Sequence, residues 1–136
     1  MPLLSGYKID IHVPCQRMPL QPLNWADVTQ CAPALVDIVA YLAQAHPFAR
    51  LGNYDGNFEV SVGFEGFTPR SGANPRHGQL QEKSVLPSLT LTTYVTERVG
   101  PDKIDHFIEA IRQRHPWEHP VIVICEAQIF VPDNAI

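Results

Sequence analysis

The feature that most constrains this chain is an internal echo. Leu35, Ile38, Val39 and Leu42 recur at i, i+3, i+4 and i+7, and so do Ile104, Phe107, Ile108 and Ile111. Each set marks one apolar stripe of an amphipathic helix. Each helix then stops at the same signal, His46-Pro47-Phe48 in the first half and His115-Pro116-Trp117 in the second. A proline pushes the residue before it out of the helical region, so both stops are sharp.

Alternating segments surround these helices. Tyr7, Ile9, Ile11 and Val13 face one way, with Lys8, Asp10 and His12 opposite. Phe58 to Phe64 and Thr90 to Thr96 read as two more strands, and Val121 to Val131 as the last. The order is strand, helix, strand, strand, helix, strand. It predicts an α+β, ferredoxin-like βαββαβ fold: a four-stranded antiparallel sheet with two helices on one face. A single domain over 1–136 is expected, with long loops at 14–31 and 65–88. Pro14, Pro19 and Pro22 mark the first loop, and dense Gly, Asn and Pro mark the second.

Pro33 suits the first turn of its helix, where its missing amide is not needed. In the later helix Asp102 and Asp105 lie early while Arg112 and Arg114 lie late, matching the helix dipole. Val121-Ile122-Val123-Ile124 is apolar on both faces. A sheet covered on one side only leaves its other side open, which predicts a homo-oligomer.

The bulk properties exclude several roles. The 136 residues suit one core, with 45% hydrophobic and 18% charged residues. A formal charge of -4 without a basic block gives no electrostatic footprint for nucleic acid or a membrane surface. No apolar run approaches the roughly 18 residues of a membrane span. Met1-Pro2-Leu3-Leu4-Ser5-Gly6 lacks a signal-peptide layout, and Cys15, Cys31 and Cys125 form neither a disulfide framework nor a zinc clip. Reduced thiols in a cytoplasmic protein are expected.

The richest chemistry lies in His115-Pro116-Trp117-Glu118-His119-Pro120. His115, Glu118 and His119 match H-x-x-E-H, in which one helical turn aligns two imidazoles on zinc and leaves the glutamate as a base. Pro116 and Pro120 remove that helical turn. Three readings remain: a weaker divalent-metal site on His115, Glu118 and His119, an acid/base pair drawn from the same residues, and a structural corner. In the corner, His115 caps the helix and Trp117 packs on the sheet.

Gly52-Asn53-Tyr54-Asp55-Gly56 is a turn whose glycines also let backbone amides approach a ligand. Asn53 and Tyr54, with Trp117, are candidate ligand contacts. Arg70, Arg76 and His77 offer an anion site, although solvated loop charges are the commoner use of such residues. Neither G-x-G-x-x-G nor a P-loop is present. No serine lies in a nucleophile elbow, and no cysteine neighbours a histidine. Glu59 and Glu65 do not read as a carboxylate pair.

Two separated motifs resemble a known family. Leu51-Gly52-Asn53-Tyr54, Phe58, Gly66-Phe67-Thr68-Pro69, Gly72-Ala73-Asn74-Pro75, Gly78 and Glu82 are similar to the inserted domain of the YqfO (NIF-three-like) proteins. His115 to Val121 resembles that domain's closing motif, His-Pro-Tyr-Glu-Glu-Pro-Ala. The resemblance covers roughly Ala45 to Pro132. It implies a PII/CutA-like module that forms trimers. The family's larger domain, with its two-metal site, has no counterpart here, so metal-dependent hydrolysis does not transfer. Asn57 replaces the family's usual Cys, Trp117 its Tyr and His119 its second Glu. Gln16 to Gln30 is longer than the family's connection.

The expected role is a stand-alone oligomeric binding or sensor module, holding a small ligand or a divalent cation in a subunit cleft. The first alternative is a small lyase, isomerase or hydrolase using His115 or His119 with Glu118. The second is a protein-interaction scaffold, which would show one broad apolar patch and no pocket.

Overall fold

The computed structural model describes residues 3–132. Met1 and Pro2 of the N-terminal segment lie outside the described residues. Seven elements follow in order: β1 (Leu3–Pro14), α1 (Trp25–Cys31), α2 (Pro33–Leu42), β2 (Glu59–Phe67), β3 (Ser84–Val95), α3 (Pro101–Arg114) and β4 (Ile122–Phe130). The four strands form one antiparallel sheet in the order β2-β3-β1-β4. The architecture is α+β and ferredoxin-like, as the duplicated pattern predicts.

The period-two alternation of β1 sets the layers. Ile9, Ile11 and Val13 are fully buried with Leu89, Leu91 and Val95 of the neighbouring strand. The helices contribute Val28, Leu35, Ile38, Leu42, Phe107 and Ile111 to the same core. The opposite face of the central strands carries Lys8, Asp10, His12, Thr90, Thr92 and Tyr94, so it is polar rather than a broad apolar patch. Thr92 donates to Asp10 across that face at 2.6 Å. Strand β4 divides as its sequence implies: Ile122 and Ile124 pack on the core, while Val121 and Val123 stay exposed.

Both expected long loops are shorter than the sequence reading placed them. Residues 14–31 contain α1, which makes three helices rather than two. Asn24 caps α1 by accepting from the Asp27 amide at 3.0 Å. Asp27 in turn binds Arg17 at 2.6 Å and accepts from the Leu20 amide at 2.7 Å, tying the preceding coil to the helix. The Arg17 guanidinium, then the Leu20 amide, hold the Asp27 carboxyl below its ordinary range.

The second loop shrinks from 65–88 to 68–83, because β2 and β3 pair as far as Phe67↔Ser84. Pro87 fits inside β3 because the pairing with β1 ends at Pro14↔Ser88. Beyond that point the missing amide faces no ladder partner. Its carbonyl still accepts from the Cys15 amide at 3.0 Å.

Candidate functional site

Helix α3 ends as the His-Pro signal requires. His115 is extended at φ -92°, ψ 139°, and its amide closes the last turn on the Arg112 carbonyl. The side chain then turns inward and is only 7% exposed. Its Nε2 donates to the His12 carbonyl of β1 at 2.6 Å, and its Nδ1 accepts from the Trp117 amide at 3.1 Å. These two bonds require a neutral ring with its proton on Nε2. Burial lowers the His115 pKa below its ordinary 6.5, partly opposed by the His12 carbonyl and the Glu65 charge. Neither nitrogen has a lone pair left for a metal.

The rest of the corner faces outward. Glu118 accepts from the Asn74 amide at 3.1 Å, joining the corner to the 68–83 loop. His119 lies 3.8 Å from Glu118, beyond hydrogen-bonding reach, and its side chain is 87% exposed. The set His115, Glu118 and His119 therefore does not assemble around one point. Among the described residues no three His, Cys, Asp or Glu side chains form a metal-holding group.

A cavity of about 360 Å³ opens between this corner, the end of β2 and the 68–83 loop. Phe67 and Trp117 meet edge to face there at 5.2 Å, and the His77 ring approaches the Phe67 edge at 6.4 Å. Pro69, Pro75 and Val121 extend the apolar lining, while Arg70, Arg76, His77, Glu65, Glu118 and His119 supply its polar groups. A second hollow of about 260 Å³ lies against Pro116 and shares Arg76, His77 and Trp117. The indole thus stands between two hollows.

Glu65 stands where β2 meets the cavity. It accepts from the Ser88 hydroxyl and lies 3.8 Å from His12 Nδ1. The buried Cys15 thiol is pushed up to about 11 by burial, with Cys31 and Glu65 adding to it. It stays protonated at neutral pH and is no nucleophile. All three cysteines are free, and only Cys125 is exposed.

The glycine loop lies elsewhere. Gly52 and Gly56 both adopt positive φ, at 57° and 68°, which makes this a turn that needs glycine. Arg50 pairs with Asp55, and the Asn57 amide donates to the Tyr54 carbonyl at 2.6 Å and the Ala49 carbonyl at 3.2 Å. Asn57 thus clamps the turn through its side-chain amide. Asn53 and Tyr54 are exposed, and neither lines the cavity. They precede the first residue of β2, whereas Trp117 meets its last. At roughly 3.3 Å per residue those ends are about 26 Å apart.

Of the candidate residues, then, Trp117, Glu118, His119, Arg70, Arg76 and His77 come together, while Asn53 and Tyr54 stand apart. Phe67, Pro69 and Glu65 join the site without having been singled out. Phe67 and Pro69 lie in the Gly66-Phe67-Thr68-Pro69 motif, which was the available signal, while Glu65 only adjoins it.

No family model matches the chain, and no curated protein matches it. Among solved structures it is similar to a Bacillus cereus protein related to NIF3. The identity is 16% and the TM-score 0.62, over 93% of this chain and 27% of that one. At this identity the likeness concerns the fold. The chain spans about a quarter of that protein's length. Among the described residues no helix is long and apolar enough to cross a membrane.

Proposed function

We propose that this chain is a PII/CutA-like binding or sensor module that holds a small molecule between the 68–83 loop and the 115–121 corner, without turning it over. The cavity of about 360 Å³ carries this reading. Its size falls in the range of small-ligand sites, and it combines aromatic walls with a few polar groups. A pure scaffold calls for one broad apolar face, whereas the open face of the two central strands is polar and the exposed Val123 lies on β4 at its edge.

The acid/base alternative has less support. It needs an imidazole in hydrogen-bond reach of Glu118, and His119 lies 3.8 Å away and exposed while His115 is fully engaged. A divalent cation as ligand is likewise less well supported, because His115 offers no lone pair. The proposal includes self-association, with a trimer as the preferred state and a cytoplasmic setting for the free thiols. Strands β2 and β4 keep one unpaired edge each, and Phe64 and Val85 expose apolar surface beside the first.

The test is a thermal-shift screen of small metabolites against the full chain and an Ala73→Trp variant. Ala73 lines the cavity, so an indole there fills it. Stabilising compounds that act on the parent and not on the variant are expected. Equal shifts in both proteins would refute the cavity as the site. Light scattering at micromolar concentration tests the assembly, and a monomer would exclude it.

A further inference from the structure

This inference rests on the binding role proposed above and names the ligand's chemistry. The chain has seven arginines. Arg17, Arg50, Arg98 and Arg112 each pair with a carboxylate, on Asp27, Asp55, Glu126 and Glu109. Arg114 lies over the Tyr41 ring at 4.6 Å and donates to the Ala110 carbonyl. The other two are Arg70 and Arg76. Among the described residues neither forms an ion pair, and both line the cavity beside Trp117. The chain has 14 acidic residues against 10 basic ones, so potential partners are not scarce.

The acidic groups at the cavity are already committed. Glu65 accepts from Ser88 and faces His12, and Glu118 accepts from Asn74 and faces His119. Arg70 and Arg76 are thus the two lining charges whose side chains have no protein hydrogen-bond partner among the described residues, and they balance Glu65 and Glu118 while keeping their donor forks unused. A guanidinium presents a planar fork that matches a carboxylate in two parallel hydrogen bonds. The walls add a shape requirement. Phe67 and Trp117 meet at an interplanar angle of 67°, which makes a corner for one flat ring rather than a channel for a chain.

We propose that the site takes aromatic carboxylates, with the ring in the Phe67–Trp117 corner and the carboxylate on Arg70 and Arg76. Inorganic phosphate would leave the apolar walls unused. A cation would face two unpaired arginines.

Calorimetric titration of the full chain with 2-naphthoate, its neutral isostere 2-naphthamide and inorganic phosphate tests this. The acid is expected to bind one per chain, at least about tenfold tighter than the amide, which corresponds to about 1.4 kcal/mol. In an Arg70→Gln/Arg76→Gln double variant the preference should fall to about twofold, with amide affinity unchanged. Both side chains are exposed, so the variant's circular dichroism and melting temperature should match the parent's. Amide binding equal to acid binding in the parent would overturn the anionic requirement and leave the binding role standing. Phosphate binding as tight as naphthoate would overturn the aromatic one. Absence of binding by both ring compounds would remove the inference, while hits in the metabolite screen would still uphold the role.

Discussion

The two His-Pro-aromatic corners use the same three residue types in opposite ways. At the first, Phe48 is buried and stacks on Phe107 of α3 at 4.3 Å, while His46 is exposed and bonds only the Arg50 side chain. At the second, His115 is buried and holds β1, while Trp117 turns toward the cavity. One corner gives its aromatic to the core. The other gives its imidazole to the core and leaves its aromatic half-buried in the cavity wall against Phe67. The motif directly ends only α3, because α2 has already stopped at Leu42, four residues before His46, and in neither place does it dictate the use of the side chains that follow.

Substitutions can break this contrast. The largest effect is expected from Phe48→Ala, which removes a buried ring and should cost about 3–5 kcal/mol. Trp117→Ala should cost roughly 1 kcal/mol, since its ring already faces open space. Chemical denaturation of the two variants measures the gap, and equal losses would erase the distinction between the corners.

His115→Ala comes next. It leaves the His12 carbonyl and the Trp117 amide without their partner, at about 1–3 kcal/mol. This loss should depend on pH. Burial lowers the His115 pKa in the folded state below the ordinary 6.5, so the unfolded chain takes up the proton first. The stability tied to neutral His115 is therefore full above about pH 6.5 and is lost as pH falls toward the lowered value. Melting curves of parent and variant should converge as pH drops from 7.5 to 5, and a gap that stays constant would contradict the neutral ring.

The smallest effect is expected from His46→Ala, within about 0.5 kcal/mol, because that ring is exposed and bonds only a surface arginine. A loss as large as that of His115→Ala would show that both histidines serve the fold alike.

Much of the fold was legible because its signals are periodic. The stripes of α2 and α3 and the alternation of β1 each repeat several times, so one odd residue does not hide them. The missed elements depended on single residues competing with prolines. Asn24 followed three positions later by Asp27 is a helix-start signature, but Pro19 and Pro22 nearby read as loop. Pro87 likewise argued against a strand that tolerates it only where β1 has ended.

The site was legible in part. Chemical type marked Trp117, Glu118 and His119, while Arg70 and Arg76 looked like ordinary loop charges. What distinguishes them is the lack of a carboxylate partner, a property of three-dimensional neighbours that no local window contains. Within one chain a strand's length separates Asn53 and Tyr54 from Trp117, a distance that no local window contains either.

The 68–83 loop carries Arg70, Arg76 and His77 but contributes no strand to the sheet and no residue to its buried apolar cluster. If the proposed site binds a ligand, its charged groups on this loop and the buried apolar cluster are thus written in different stretches of the polypeptide. A lineage could lengthen, shorten or recolour this one span and acquire a new ligand while inheriting the scaffold intact. For an engineer, the same separation marks 68–83 as the stretch to randomise in a library and the His115 bond to β1 as the hinge post to leave alone.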